Sequence, residues 1–325
     1  MGRVIVADAR DITDGAMHSF AQKVETGIPI LLISRPEGFV FNAAVLELAG
    51  KPYVVWDVME MGWDAAIPYT CFFGFNQFSF FSPNRFPQFK DDFNEWGKLN
   101  DFVSKNQPIK YFKRELLTKE ADDHYLPLAY PCLYDIPPVQ SKEAFDNRIL
   151  QVGYTWGLSH EGRKKLHANI WRESGQYGYV VCDNISNLSA FCQFEDNSKK
   201  WLTQNVPHYV RYPMVSTKES VGINDIIGNC KIALSPAGAG RVCFRHTEVS
   251  MNSVMLMWED DIKWSFDWVH GRNCIKAQEG EEIEAIVEAL DNPTLHDIYK
   301  AGVETCRQYH IDNYKKHIEN LINNA

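Results

Sequence analysis

The 325-residue sequence lacks several features that would assign it to common classes of protein. No apolar run approaches the ~18 residues of a membrane span, and residues 1–10 show no basic segment followed by an apolar one, so no signal peptide is expected. The eight cysteines form no Cys-x-x-Cys pair, which disfavours a zinc site. We therefore expect reduced, buried cysteines in a cytoplasmic protein, or in the cytoplasm of a host cell if the source is viral.

Positive charge is in the minority, because 33 Lys and Arg residues stand against 42 Asp and Glu, a formal net charge of −9. Binding nucleic acid through its phosphates requires a surplus of Lys and Arg. The balance therefore disfavours DNA or RNA as a partner, although local basic patches leave that partner open. The length and a hydrophobic content of 45% suit an ordinary globular protein of two domains.

Short apolar runs alternate with helical stretches along the whole chain. Strands are predicted in the first half at 4–7, 30–33, 53–56, 109–112 and 126–128, and in the second half at 150–154, 179–182, 230–234, 254–258 and 274–276. Helices are predicted between them, among others at 19–25, 43–48, 160–173 and 281–290. Short apolar strands between helices are typical of parallel sheets covered on both faces.

The alternation is interrupted at 134–142, where Pro137 and Pro138 break any helix or central strand. This segment is the predicted linker between a domain at 1–140 and a domain at 141–293, followed by a helical segment at 294–325 that crosses back to the first domain. The predicted fold class is α/β, with two Rossmann-like doubly wound domains that face a cleft. Ligands of such sheets bind outside the carboxyl ends of the strands.

The most informative stretch, at 230–258, is CKIALSPAGAGRVCFRHTEVSMNSVMLMW. It predicts a strand, a glycine-rich loop, a helix and a second strand. Gly238 and Gly240 let the backbone approach a ligand closely. The start of the following helix presents free N–H groups, which suit a phosphate.

Three charged residues follow the glycines at helical spacing. Arg241, Arg245 and Glu248 are separated by four and then three positions, so they are predicted to share one face of the helix. The fork of an arginine side chain can hold a diphosphate, and the glutamate can accept hydrogen bonds from both hydroxyls of a ribose. An ordinary surface helix with an Arg–Glu ion pair has the same spacing.

The run SPAGAGRVCFRHTE, followed by a strand, resembles the donor-binding segment of exostosin-like and related GT-B glycosyltransferases. The resemblance covers 150–276 and is only architectural before that. It implies transfer of a sugar from a nucleotide diphosphate sugar, UDP- or GDP-linked, to a hydroxyl of a glycan or other acceptor. It also implies the donor-binding residues, which are Gly238, Gly240, Arg241, Arg245 and Glu248.

A second local match lies at the start of the second half. The strand at 150–154 carries Gly153 near its end, and the predicted helix after it carries Arg163, Lys164 and Lys165. In GT-B enzymes this position often supplies a glycine turn and a basic side chain to the diphosphate, which implies roles for Gly153 and Arg163. A solvated basic helix face accounts for the same residues without any ligand.

Two patterns known from related enzymes are missing. Retaining GT-B enzymes often show Glu-x7-Glu, whereas the position eight before Glu248 is Gly240, which favours inversion. No Asp-x-Asp lies between a strand and a loop, so neither a metal nor another cofactor is predicted; an arginine and a helix amino terminus would balance the diphosphate. A dehydrogenase is a distant alternative, because the first strand lacks G-x-G-x-x-G.

An inverting transfer needs one base to take the proton of the acceptor. By analogy with GT-B enzymes the base lies in the first domain, at the carboxyl end of a strand. Asp57 is the first choice and Asp8 the second, because each directly ends a predicted strand; next are the candidates Glu60, Asp11 and His18. Two other functions stay open: transfer of sugar to a modified DNA base, and binding of a nucleotide or glycan without turnover.

Overall fold

The computed structural model describes residues 3–6, 15–33, 41–58, 98–99, 101–148, 150–157, 163, 165–166, 169–170, 181–186, 210–211, 227–236 and 242–324. Among these residues the strands form two sheets, in which all neighbouring strands are parallel. The predicted α/β class with two parallel sheets is therefore confirmed.

The first sheet takes its strands from the first half of the chain: β1 (Val4–Val6), β2 (Ile30–Ile33), β3 (Val54–Asp57), β4 (Lys110–Lys113) and β5 (Tyr125–Pro127). All positions of β2 and β3 are buried, because both faces of the sheet are covered. On one face Ile30 and Leu32 pack with Phe20, and on the other Leu31 packs with Val45.

The second sheet contains β6 (Leu150–Gly157), β7 (Val181–Ser186), β8 (Val210–Arg211), β9 (Cys230–Leu234), β10 (Val254–Trp258) and β11 (Ile275–Ala277). Its order is β11-β10-β9-β6-β7-β8. The order reverses at β6, so β6 and β9 flank the switch point at which doubly wound sheets bind ligands. The described strands of the first sheet run in chain order, β1 to β5, without a reversal. The alternation of elements in a sequence predicts parallel strands but carries no information on their order.

Among the described residues, seven helices have defined bounds: α1 (Gly15–Lys23), α2 (Ala43–Leu46), α3 (Lys142–Asp146), α4 (Arg245–Ser250), α5 (Glu282–Leu290), α6 (Leu295–Tyr309) and α7 (Ile311–Asn323). A 3-10 turn lies at Thr118–Glu120. Side chains of Asn42 and Ser141 cap α2 and α3 by accepting backbone N–H groups. Across the described part of the chain, no helix is long and apolar enough to cross a membrane.

The last helix, α7, packs against the first half of the molecule. The rings of Tyr314 and Phe20 stack with their centroids 5.5 Å apart, and the ammonium group of Lys315 lies 2.8 Å from the carboxylate of Glu25. The hydroxyl of Tyr314 accepts the backbone N–H of Ala129 at 2.8 Å and lies 2.9 Å from Oγ of Ser265. One buried side chain of α7 therefore joins backbone of the first half to a side chain of the second. The domain boundaries at 140 and 293 stay predictions.

The two halves also meet through their backbones. Leu117 and Ile262 form an antiparallel bridge. The N–H of Thr118 donates to the carbonyl of Asp261, and the N–H of Lys263 to that of Leu116, both at 2.7 Å. We call the paired segments 116–118 and 261–263 the seam. The seam fixes the carboxyl end of β4 beside the second half of the chain.

Tyr314→Phe is expected to lower the free energy of unfolding by about 1–3 kcal/mol, because the buried N–H of Ala129 loses its acceptor. Chemical denaturation with urea measures this difference. Lys316→Ala, at an exposed position of the same helix, is the matched control and should stay within about 0.5 kcal/mol of the parent. Equal stability of Tyr314→Phe and the parent would contradict a structural role for the hydroxyl.

Candidate functional site

The switch point of the second sheet brings together two segments that are distant in sequence. Arg163 is helical and follows β6, and Nη2 of its guanidinium donates to the carbonyl oxygen of Pro236 at 3.2 Å. Pro236 comes directly before the glycine-rich segment, in which Gly238, Gly240 and Arg241 lie outside the described residues. The structure therefore places Arg163 at the entrance of the predicted donor loop.

Arg163 is half-buried, and this burial lowers the pKa of its guanidinium group. Removing water from a cation strengthens its interaction with any anion that approaches, because the local dielectric constant falls. Arg163 is thus suited to an anionic ligand at the carboxyl ends of β6 and β9. Its neighbour on the same helix, Lys165, is exposed, as expected of a solvated position.

Gly153 does not lie in a turn, contrary to the expectation from sequence. It pairs with Cys182 of β7 and Ala233 of β9 inside the second sheet. The strand continues to Gly157, because its last residues also pair with β7. The predicted end of this strand, at 154, was wrong, because the backbone pairing continues three residues beyond the apolar run. A contact between Gly153 and the nucleotide-sugar donor stays a prediction. The position of Gly153 within the sheet disfavours this contact.

The charged pair of α4 has the geometry that its spacing predicted. Arg245 Nη1 and Glu248 Oε2 lie 2.9 Å apart, with 17% and 7% of their side chains exposed. The helix begins only at Arg245, so the prediction of a helix that starts directly after the glycines was wrong. The N–H of Val242 instead donates to Oε1 of Glu115, a residue of the first half, at 3.3 Å. The amino terminus of α4 therefore does not directly follow the glycine-rich loop, as the predicted phosphate site required.

Glu248 is a buried carboxylate that can accept further hydrogen bonds. Burial raises the pKa of its carboxyl group, against the opposing effects of Arg245 and of the hydroxyl of Tyr134. Oε2 is paired with the charge of Arg245 at 2.9 Å and, among the described residues, has no hydrogen-bond partner. It is therefore a buried acceptor to which a ligand hydroxyl can donate.

A cavity of about 250 Å³ opens beside Glu248 and lies between the two halves; we call it the interdomain pocket. Its walls come from α1, from the segment after β5 and from the start of α4, and consist of Ala16, Tyr130, Pro131, Cys132, Leu133, Tyr134, Phe244, Thr247 and Glu248. The rings of Tyr130 and Phe244 meet edge to face at 6.2 Å. The pocket combines aromatic surface with a single carboxylate.

Sequence reasoning missed the charged residues at the carboxyl end of β4. Glu115 is fully buried and accepts the N–H of Val242. Arg114 lies beside it at 3.7 Å and also covers the ring of Tyr130 at 5.1 Å. The sequence did carry a signal, because the run Lys-Arg-Glu directly follows an apolar strand. Charges that are buried at the end of such a strand need partners, so this run could have indicated a cluster of paired charges. These residues link the first half to the donor side of the cleft.

Asp57, the first choice for the base, is completely buried at the end of β3. Its Oδ2 accepts from Nζ of Lys113 at 3.0 Å and from the hydroxyl of Tyr111 at 2.8 Å. This arrangement favours a structural ion pair, because the carboxylate is shielded from an acceptor. Asp8, Asp11 and Glu60 lie outside the described residues, and His18 lies on α1 near Gln22. The identity of the base stays a prediction.

A group of three or more His, Cys, Asp or Glu side chains suited to a metal ion is absent from the residues that the structure describes. The carboxylates named above are each engaged by other partners: Asp57 by Lys113, Glu115 by a backbone N–H, and Glu248 by Arg245. Arg163 and Arg245 are cations that the structure places at the site.

Solved structures share this architecture, whereas no family model and no curated protein matches the sequence. HepE of Anabaena in complex with UDP aligns with a TM-score of 0.56 and 10% identity over 91% of this chain and 79% of its own. The GtfA/B complex aligns with a TM-score of 0.54 and 10% identity over 95% of this chain and 59% of its own. Pneumococcal O-GlcNAc transferase GtfA with UDP and GlcNAc aligns with a TM-score of 0.53 and 9% identity over 91% of this chain and 56% of its own. The chain spans less than two thirds of these last two. The likenesses show that the fold is GT-B.

Asp57→Asn separates a structural carboxylate from a catalytic one. As a structural partner, its loss should lower the free energy of unfolding by about 3–5 kcal/mol, because the charge of Lys113 stays buried without compensation. As the base, its loss should reduce turnover by roughly 10²–10⁴ with stability little changed. The geometry favours the first result, measured by thermal and urea denaturation. Asp123→Asn at an exposed position is the control.

Proposed function

We propose that this protein is a glycosyltransferase that moves a sugar from a nucleotide diphosphate sugar to a hydroxyl of a glycan or other acceptor. The observation that carries the proposal is the meeting of Arg163 with the entrance of the glycine-rich loop at the switch point of a GT-B fold. The structures of HepE and pneumococcal GtfA hold UDP, which supports a nucleotide of this type as the ligand.

In the proposed complex Glu248 accepts hydrogen bonds from the hydroxyls of the ribose. Its Oε2 is buried, is paired with the charge of Arg245 and has no hydrogen bond in the described part of the molecule, so ribose hydroxyls would add hydrogen bonds to that ion pair. Charged acceptors form the stronger class of hydrogen bond. The resemblance of the segment around Glu248 to exostosin-like enzymes supports the same assignment.

The diphosphate is proposed to lie against the glycine-rich loop, held by Arg163 and Arg245. The guanidinium of Arg245 lies over the ring of Phe244 at 5.7 Å and pairs with Glu248, which keeps it near the site of the ribose. Gly238, Gly240 and Arg241 are proposed to complete this cradle. Two arginines near the leaving group would stabilise the negative charge that develops on it.

The acceptor is proposed to enter from the interdomain pocket. Aromatic rings such as those of Tyr130 and Phe244 suit the apolar faces of sugar rings, and Tyr134 is half-exposed at the same wall. The transfer is proposed to proceed with inversion: the acceptor oxygen attacks the anomeric carbon, the bond to the diphosphate breaks, and a base takes the proton. Because Asp57 is held in an ion pair with Lys113, Asp8 is proposed as the base, followed by Glu60, Asp11 and His18.

Glu248→Gln and Arg163→Ala should each weaken the binding of UDP or GDP. Loss of a hydrogen bond to a charged group costs about 1.5–3 kcal/mol, which corresponds to about tenfold to about a hundredfold in affinity. Isothermal titration calorimetry with both nucleotides measures the change. Lys165→Ala, an exposed position of the helix that carries Arg163, should bind normally. Parental affinity in both site variants would overturn the donor site.

Transfer is expected to persist in excess EDTA, because arginine side chains are proposed to balance the charge of the diphosphate. Release of UDP or GDP from a panel of sugar nucleotides is the measurement, and the chelated protein with added Mg²⁺ or Mn²⁺ is the comparison. Loss of activity on chelation with recovery on metal addition would contradict a metal-independent mechanism. Tight nucleotide binding without any release of product would instead favour a binding module.

A further inference from the structure

A cysteine and a histidine lie in contact beside the donor loop, and the proposed transfer uses neither. Sγ of Cys243 lies 3.1 Å from Nδ1 of His246, and Oγ of Ser235 lies 3.3 Å from the same nitrogen. Cys243 precedes α4 and His246 lies in its first turn, so a spacing of three residues brings the side chains together. Cys243 is half-buried, whereas His246 is buried.

The imidazole of His246 is held by its surroundings. Its ring packs against Trp264 with centroids 5.2 Å apart. The indole Nε1–H of Trp264 donates to Oδ1 of Asp260 at 3.3 Å. The carboxylate of Asp260 favours the charged form of His246, and Lys276 in turn acts on Asp260. His246 thus lies between Cys243 and Trp264, and Asp260 acts on it through its charge.

Charge favours the thiolate of Cys243 over the thiol. Burial by itself opposes ionisation, but the charge and hydrogen bond of His246, together with the charge of Arg163, outweigh it and lower the pKa of Cys243 to about 7. Burial lowers the pKa of His246, but the contact with Cys243 outweighs this effect and the pKa is raised. Thiolate and imidazolium therefore stabilise each other near neutral pH.

The other described cysteines are useful internal references. Cys132, Cys230, Cys274 and Cys306 are buried. Burial is the largest effect on the thiols of Cys132, Cys274 and Cys306, and it raises the pKa of each. Buried thiols of this kind are inert, whereas reactive cysteines lie in partly exposed electropositive surroundings. Cys243 alone among these five has that environment.

We propose that Cys243 is a nucleophilic modification site, activated by His246, that reacts with small soft electrophiles and with hydrogen peroxide. With an alkyl iodide, the sulfur displaces iodide and forms a thioether. With hydrogen peroxide, the sulfur attacks one oxygen and the O–O bond breaks. The leaving hydroxide takes a proton from the imidazolium to become water. Sulfur is oxidised by two electrons to a sulfenic acid, and the peroxide is reduced by two.

Modification of Cys243 is expected to impair the proposed donor site, an inference that rests on the proposed function. Cys243 adjoins Val242, whose N–H is held by Glu115, and its thiolate offsets the charge of Arg163. An adduct removes that negative charge and adds volume between the loop and α4. The affinity for UDP should therefore fall on modification, whereas the labelling itself requires no nucleotide.

The pH dependence of alkylation tests the site directly. The native protein is treated with iodoacetamide between pH 5.5 and 9.5, and the labelled peptides are quantified by mass spectrometry. Cys243 should be labelled with a midpoint near pH 7, while Cys274 and Cys306 stay unlabelled until the chain is denatured. Labelling of Cys243 only above about pH 8.5, the range of an ordinary thiol, would overturn the proposal.

His246→Gln tests the partner. It should move the labelling midpoint of Cys243 towards about 8.5 and slow the reaction at pH 7 by about threefold to tenfold, since the gain in intrinsic nucleophilicity offsets part of the lost thiolate. His270→Gln, at an exposed histidine, should leave the profile unchanged. An unchanged profile in His246→Gln would overturn activation by His246. If that variant does not fold, the profile of the parent protein decides the proposal.

The oxidative reaction has its own measurement. After brief exposure to hydrogen peroxide, dimedone should trap a sulfenic acid at Cys243 and not at Cys132 or Cys306. Equal trapping at all three would overturn selective oxidation. If Cys243 is labelled as expected but untreated protein binds no UDP, the modification site stands and the proposed function fails.

Discussion

The seam between the halves is the constraint on which the rest of the structure depends. Backbone groups of 116–118 and 261–263 bond to each other, so the halves are joined by groups that every residue except proline carries. Such groups must be paired when buried. The seam fixes the carboxyl end of β4 near the loop that follows β9, and Glu115 can therefore hold the N–H of Val242. The contact between Glu115 and the second half depends on this placement.

Several ion pairs of this protein are buried. Asp57 with Lys113, Glu115 with Arg114, and Glu248 with Arg245 all lie largely out of water. Isolated buried charges are expensive, and even paired ones contribute little net stability. Each of these charges therefore depends on the partner that is buried beside it. For Asp57, both donors to its carboxylate belong to the same sheet.

The candidate site was partly visible in the sequence. The spacing of Arg245 and Glu248 correctly predicted that they share one face of a helix, because neighbours on a helix are determined by local geometry, whereas Arg241 precedes the start of α4. The contact between Cys243 and His246 also follows from a spacing of three, but nothing in a sequence distinguishes a half-buried thiol from a buried one. Glu115 escaped notice, because its partner lies in the other half of the chain. The position of Arg163 against Pro236 likewise required the fold.

By itself the sequence determined the elements that depend on local pattern: most of the apolar strands, helices such as those predicted at 43–48 and 281–290, and the α/β class, since periodicity acts over a few residues. Only the tertiary structure decided the order of the strands, the end of β6, the late start of α4 and the pairing of charges across the halves. These features depend on contacts between residues far apart in the chain, such as Leu117 with Ile262. Local pattern carries no information on such contacts, because their free energy appears only when both segments are already in place.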